Sequence, residues 1–522
     1  MKKIFEYPRI FFGLIITLQT ALLINSRALY FSDEIRYANA YSNVANFNKW
    51  LVLYLNGEPY PDKPPVYFWL VYIVQSVTQF EVPAAMFMTS ALTGFIYLLA
   101  HYYFSMTVTQ DKKISIISGL ILLTNFYFIA LMNYIRMDLL FAALTIFSFT
   151  FLYKYLTTDS KKYVYFGFLV ASVAVLTKGP IGVVFPLLFF LVGVVFFKAY
   201  KKLFSIHFLL GFLTTLVPII GWLLAIVALE GYDYMMYLIN TQVVKRAVKT
   251  WHHAEPFYYY TYALTLAWLP WVLIFFTSGK SIKSKCTQFY RSSDGAKYVI
   301  FAIVSGFLFL SALSGKIAIY ALPIYSPIAI LIAYVYINSD NRKIFWRAVS
   351  IFFIVLSGVL FFVNKIPSMP GYADNSALCG GVALASGLAI WFLSDKDNMK
   401  AVVGFALIMT LFFNVLGLTL IPSLDIVLSP KKQGTIMKQY IADGYKPVAY
   451  KVYSALYTYY AGSVVYETKK LDEVKEIMNS DEKVVLGLAE KYWKRWENKP
   501  SHLKIIDKQW IAGRDYLLVI NK

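Results

Sequence analysis

The chain has 522 residues, 59% of them hydrophobic and 18% aromatic with only 15% charged, a balance that excludes a soluble globular domain. Its net charge of +20 sits mostly in short Lys and Arg clusters between apolar stretches, the pattern of membrane topology and not of nucleic-acid binding. Two cysteines, Cys286 and Cys379, are too few and too far apart for a disulfide framework or a cysteine metal cage.

The opening "MKKIFEYPRI" is basic, and no small-residue cleavage site follows its apolar run, so residues 9–28 read as an uncleaved first span. "FSDEIRYANA" (31–40) comes next and crowds Asp33, Glu34 and Arg36 into one turn. Residues 66–80, "VYFWLVYIVQSVTQF", are apolar but short and predict an interfacial or re-entrant helix. With that segment not crossing, spans near 9–28, 82–107, 114–132, 138–155, 162–177, 179–197, 207–229, 259–277, 298–313, 319–337, 344–363, 377–393 and 400–421 make thirteen. Every basic cluster ("QDKK", "TTDSKK", "KAYKK", "SGKSIKSK", "NSDNRK", "SDKDNMK") then shares the side of Lys2 and Lys3, the cytoplasm. A crossing by 66–80 would turn those clusters outward, against the charge bias.

The organisation expected is a membrane domain over 1–424 followed by a small periplasmic α/β domain over 425–522. In the second unit "KPVAYKVY", "SVVYET", "KVVLGLA", "LKIIDK" and "DYLLVIN" read as five strands, with helices near 431–443, 453–460, 471–479 and 489–497. It holds no P-loop or glycine-rich nucleotide fingerprint, so its expected role is acceptor handling or packing.

This topology gathers Asp33, Glu34, Arg36, Asp62, Lys63, Arg136, Asp138, Lys178, Lys245, Arg246, Lys249, His252, His253, Glu255 and Lys316 on the outer face. Basic residues there run against the positive-inside trend, and several enter span ends, where facing lipid is costly. Any one of them could simply snorkel to the headgroups, and Asp33 could simply cap the next helix; the set as a whole points to a cavity. Cations suit a phosphate or pyrophosphate leaving group, and carboxylates suit a general base, a metal ligand or an oxocarbenium partner. A lipid phosphate meets that description. The nearby aromatics, "VYFWLVY" (66–72) and "PFYYYTY" (256–262), fit an interfacial belt or contact with sugar and prenyl chain. The stretch 230–258 is long enough for a lid. Charges at outer span ends, not at mid-membrane, speak against a secondary transporter, and an assembly protein is the other rival.

"FSDEIRYANA", "DKPPVYFWL", "RMDLLFAAL", "LTKGPIGVVFPLL", "HHAEPFYYY" and "LSGKIAIYALPIYSPIAIL", in that order over residues 9–335, resemble the bacterial lipid-carrier-dependent glycosyltransferases typified by aminoarabinose transferase, kin of the protein O-mannosyltransferases. The resemblance implies a GT-C fold with an inverting transfer of sugar from a polyprenyl (undecaprenyl) phosphate. The acceptor implied is lipid A or another envelope glycolipid, with protein hydroxyls as the alternative; no nucleic acid is involved. It places the enzyme in the bacterial inner membrane with the N-terminus cytoplasmic and the active site periplasmic.

Residue by residue, the resemblance implies Asp33 as the main catalytic carboxylate, with Glu34 and Asp138 as further catalytic acids. Donor-phosphate binding falls to Arg36, Tyr37, Lys63 of the "KPP" turn, Arg136, Lys178, Lys316 and Tyr320. Asp62 stands where relatives often carry Glu and is the candidate metal ligand, with His253 or alternatively His252, for Zn or Mg. The Glu-to-Asp change shortens the reach by one methylene, and neighbouring histidines in a loop are more often solvated, so metal use is left open.

Overall fold

The computed structural model describes residues 2–47, 49–244, 254–363 and 375–522. All thirteen segments read as spans are helical, wholly or in pieces. Among the described residues eight helices are long and apolar enough to cross a bilayer, from Val82–Thr109 to Asn398–Ser423. Counting Lys112–Leu123 and Phe126–Met132 as one span bent by 69° makes nine. The other four expected spans are Pro8–Thr20, Lys162–Lys178, Ile181–Phe196 and a pair, Tyr259–Ala267 and Leu273–Thr277, interrupted at Pro270. Proline has no N–H to give the helical ladder, so that last segment breaks where its sequence carries one.

The helix Val66–Thr78 has 13 residues. At 1.5 Å per residue it reaches about 20 Å, short of the roughly 30 Å of hydrocarbon, as its sequence length predicted. It buries Tyr67, Phe68, Val71 and Val74 and exposes Tyr72, Ile73 and Val77, one face on protein and the other outward.

The bundle packs around a large apolar cluster in which Trp271, Trp346 and Phe405 meet ring to ring at 5.3 to 5.9 Å between centroids. Buried polar groups join helices within it. His101 is fully buried, with Nδ1 2.8 Å from Ser326 Oγ and Nε2 2.8 Å from Ser118 Oγ, joining three helices where lipid offers no hydrogen bonds. Close approach of helices sets another sequence constraint. A Cβ on Gly295 would lie 1.9 Å from the Val108 carbonyl oxygen, a backbone atom at the end of Val82–Thr109. Gly295→Ala is expected to cost roughly 1–3 kcal/mol through forced separation of the two helices, read as a lowered melting temperature of the full-length protein in detergent.

A two-residue hairpin joins β1 (Tyr54–Leu55) to β2 (Glu58–Pro59). Its turn, Asn56-Gly57, has φ of 52° and 86°, the double left-handed geometry that this dipeptide favours. Beyond the last long helix come the five expected strands, β3 (Lys446–Tyr450), β4 (Tyr466–Thr468), β5 (Val484–Ala489), β6 (Lys504–Ile511) and β7 (Arg514–Ile520). Their order is β4-β3-β5-β7-β6, with β3 parallel to both β4 and β5, and β7 antiparallel to β5 and β6. All six residues of β5, "VVLGLA", are buried, which is why this run is apolar without alternation and takes the centre. Helices Lys431–Ala442, Leu471–Met478 and Glu490–Arg495 lie where expected. The helix expected over 453–460 shrinks to Thr458–Ala461. Lys451 and Ala455 adopt φ of 49° and 59°, so residues ahead of it run as a loop, and that loop reaches the site.

Candidate active site

The helix Asp33–Phe47 begins with two acids in its first turn, where the positive end of the helix dipole favours them. Helical spacing then divides the motif. Glu34, Tyr37, Ala38 and Tyr41 face the protein interior, while Asp33 and Arg36 sit half-buried on the other side.

Glu34 was expected among the catalytic acids; its geometry is that of a sealed anchor. Its carboxylate accepts both terminal nitrogens of Arg27, Nη1 at 2.6 Å and Nη2 at 2.7 Å. It also accepts the backbone N–H of Tyr30 at 2.8 Å and of Ile135 at 2.9 Å. The Arg27 guanidinium lies 4.1 Å from the Tyr30 ring and 4.7 Å from the Phe87 ring. Both oxygens are thus committed, and a bidentate, charge-assisted pair of this kind is strong and directional. By fixing Ile135, Glu34 sets the residue beside it, Arg136.

Arg136 lies at the centre of an alternating chain of charges. Its Nη1 is 2.8 Å from Asp33 Oδ2 and its Nε donates to Asp138 Oδ2 at 2.9 Å. Asp138 also accepts Lys178 Nζ on its other oxygen. The Lys178 ammonium lies 4.8 Å from the Tyr320 ring centre and 5.1 Å from that of Phe141. Asp138 opens one helix and Lys178 closes the next, ahead of Gly179 at φ 96°, so an antiparallel pair delivers both ends to one place. The carboxylates are unequal. Asp138 is 2% exposed and held between two cations, whereas Asp33 is 23% exposed, the more accessible of the two. Burial opposes the Arg136 cation, yet Asp138, Tyr37 and Asp33 outweigh it and hold the guanidinium above the ordinary arginine range. Burial likewise pushes the Tyr37 phenol well above its usual range, leaving a neutral ring under Asp33 and Arg136.

The other expected residues divide. Arg36 Nη2 is 3.3 Å from Asp62 Oδ2 and its Nη1 donates to Tyr453 Oη at 3.0 Å, from the C-terminal unit. Lys63 is half-buried in the turn beside Asp62. Lys316, expected to bind phosphate, is 3% exposed and donates to the Glu255 carbonyl at 2.8 Å beside the Ala254–Gly315 bridge. His252 and His253 lie outside the described residues, as do Lys245, Arg246 and Lys249 and part of the expected lid. Asp62, the expected metal ligand, turns Oδ2 to Arg36 and Oδ1 to Gln242 Nε2 at 2.9 Å. A guanidinium and an amide N–H are partners that a cation would have to displace, and among the described residues no three His, Cys, Asp or Glu converge. The described partners of Asp62 are those of an ion pair, and its expected co-ligands lie outside the described residues.

Sequence reading passed over Arg27, Asn56, Tyr60, Asp425 and Tyr453. The "NG" between short apolar runs was the one local signal available, a hairpin signature. Asn56 accepts Thr458 Oγ1 at 2.8 Å and Val465 N at 3.0 Å on Oδ1, and gives Nδ2 to the Val465 carbonyl at 2.8 Å. Asp425 accepts the Ala28 N–H at 2.9 Å, and Phe31 N donates to the Leu428 carbonyl at 2.8 Å. Both tie the Asp33 loop to residues about 400 positions away.

A chain of alternating charges at one end of a helical bundle, with a sheet unit docked over it, is the arrangement to compare with known proteins. Residues 62–224, which hold Asp62, Lys63, Arg136, Asp138 and Lys178, match the family model described as dolichyl-phosphate-mannose-protein mannosyltransferase. The chain resembles the lipid-carrier-dependent glycosyltransferases. It is 29% identical over 343 residues to undecaprenyl phosphate-alpha-4-amino-4-deoxy-L-arabinose arabinosyl transferase 1 of Proteus mirabilis, covering 63% of this chain and 59% of that one. An uncharacterized protein of Aquifex aeolicus is 29% identical over 325 residues, 60% of this chain and 61% of its own. These matches span less than two thirds of either relative's length. The transferase of Shewanella sediminis of the same description matches more extensively, 26% identical over 79% of this chain and 76% of its own. Among solved structures, ArnT from Cupriavidus metallidurans bound to undecaprenyl phosphate superposes with a TM-score of 0.79 at 16% identity, covering 98% of both chains. The fold, membrane bundle and terminal sheet together, is thus that of ArnT, the GT-C fold.

Proposed function

We propose that this chain is an inverting glycosyltransferase of the bacterial inner membrane, moving a sugar from undecaprenyl phosphate or a related polyprenyl phosphate to an envelope acceptor, lipid A foremost. Its catalytic domain is residues 1–424, with residues 425–522 as a periplasmic α/β domain and the N-terminus in the cytoplasm. The observation that carries the reading is the chain Asp33–Arg136–Asp138–Lys178, one accessible carboxylate beside cations held by a buried one. The names and bound lipid of the similar proteins support the same donor class.

In the reaction, an acceptor oxygen attacks the anomeric carbon from the face opposite the phosphate. The bond from that carbon to the phosphate oxygen breaks, and its electron pair leaves on the lipid phosphate. Arg136 and Lys178 supply positive charge against that developing anion, where low dielectric makes fixed charge effective. Asp33 takes the proton if the acceptor is a hydroxyl. If the acceptor is a lipid A phosphate, already anionic, Asp33 orients it through Arg136 and no proton needs to move. Asp138 touches no substrate in this scheme; it holds the two cations.

A second reading, transfer to protein hydroxyls, has in its favour the mannosyltransferase family match over residues 62–224. Mass spectrometry of envelope lipids and proteins from cells with and without the intact gene separates the two. A fixed sugar increment on lipid A, lost on deletion, is the expected result. An increment confined to protein favours the second reading, and no change in either overturns both.

A further inference from the structure

The C-terminal unit does more than rest on the bundle at Arg36. The guanidinium carbon of Arg36 lies 5.0 Å from the Tyr60 ring centre and 5.1 Å from that of Tyr453, so it is bracketed by a ring from the hairpin loop and a ring from the sheet unit. Tyr453 Oη accepts Arg36 Nη1 at 3.0 Å, and its ring meets Phe31 edge-on at 5.1 Å, two residues before Asp33. The loop bearing Tyr453 is itself pinned. Ala455 N donates to Glu467 Oε1 at 2.6 Å, and Ala455 is buried in the same apolar cluster as Tyr37 and Tyr60. Asn56 ties the hairpin to Thr458 and Val465 on the other side.

Two donors in this bracket are buried without a hydrogen-bond partner among the described residues, Arg36 Nε and Tyr60 Oη. Burial keeps the Tyr60 phenol protonated, so its hydroxyl can donate. Unmade hydrogen bonds on buried donors are costly, so an oxygen acceptor from water or ligand is expected to complete them. Each needs an oxygen acceptor. Two rings close to the guanidinium and a hydrogen bond to Nη1 restrict how it can turn toward such a ligand.

We infer that Tyr453, supplied by the C-terminal unit, is a positioning residue of the transfer site: with Tyr60 it brackets Arg36 and aims it at a phosphate oxygen of the substrate. The phosphate class rests on the proposed function; the bracket itself does not.

The test uses the full-length protein in detergent, with Tyr453→Phe, Tyr453→Ala, Arg36→Lys and the Arg36→Lys/Tyr453→Phe double variant. One readout is the rate at which an arginine-specific dicarbonyl reagent modifies Arg36, followed by peptide mass spectrometry. The other is affinity for undecaprenyl phosphate. Tyr453→Phe keeps the ring and loses the hydrogen bond, and is expected to speed modification several-fold and weaken binding about tenfold, the worth of one hydrogen bond to a charged group. Tyr453→Ala should do more on both counts. In the Arg36→Lys background Tyr453→Phe should add nothing, because the group it acts through is gone. Additive losses in the double variant, or an unchanged Arg36 modification rate in Tyr453→Ala, would overturn the inference. Failure of the wild-type protein to bind undecaprenyl phosphate would count against the donor reading, and the modification rates would still decide whether Tyr453 holds Arg36.

Discussion

Asp33→Asn is expected to lower the proposed sugar transfer by about two to four orders of magnitude, the usual range for loss of a positioned acid or base, and to leave the fold in place. The change is isosteric. The amide oxygen can still accept from Arg136, whose second partner, Asp138, is untouched. What is lost is the negative charge at the one carboxylate of the chain that is 23% exposed. The acceptor decides where in that range the effect falls. A hydroxyl acceptor loses both its base and its orientation, giving the larger loss, while an anionic lipid A phosphate loses orientation alone. The measurement is kcat/KM of the purified variant on an undecaprenyl phosphate-linked sugar, alongside its melting temperature. A loss below about tenfold, less than a general base contributes, would remove Asp33 from the reaction.

The division of roles within "SDEIRY" shows what a sequence can and cannot carry. The motif and the short helix at 66–80 were legible because they depend on local pattern: lengths of apolar runs and acids at a helix start. The strands of the C-terminal sheet were legible for the same reason. Glu34 and Asp33 are neighbours of the same chemical type, and only the helical twist, with Arg27 waiting on the inner side, makes one a sealed anchor and the other an accessible carboxylate. Lys316 carries the same charge as Lys178, yet its described partner is the carbonyl of residue 255 and not a carboxylate. The contacts of Arg36 with Tyr453 and of Asn56 with Val465 span about 400 positions, and no window of sequence contains both partners. Long-range docking of this kind is specified by two surfaces at once, so it appears only when the chain is folded.

The second large effect follows from Glu34. Glu34→Ala is expected to destabilise the protein by about 3–5 kcal/mol, the cost of stripping the partner from a buried ion. The Arg27 side chain is 7% exposed, so its charge cannot turn to water. The Tyr30 and Ile135 N–H groups lose their acceptor in the same step. Glu34→Gln should be nearly as damaging, since its NH2 group sets a donor against Arg27 or a backbone N–H where the site holds donors only. Replacing both partners, as Arg27→Met with Glu34→Leu, removes the orphaned cation and should recover part of the loss, the two backbone groups accounting for the remainder. Thermal unfolding of the full-length variants in detergent reads the order: wild type, then the double variant, then Glu34→Gln and Glu34→Ala. Transfer should fall with stability, because the loop that carries Arg136 is set by Ile135. The opposite pattern, a Glu34→Ala protein that melts like wild type yet has lost turnover, would return Glu34 to the catalytic role its place in the motif first implied.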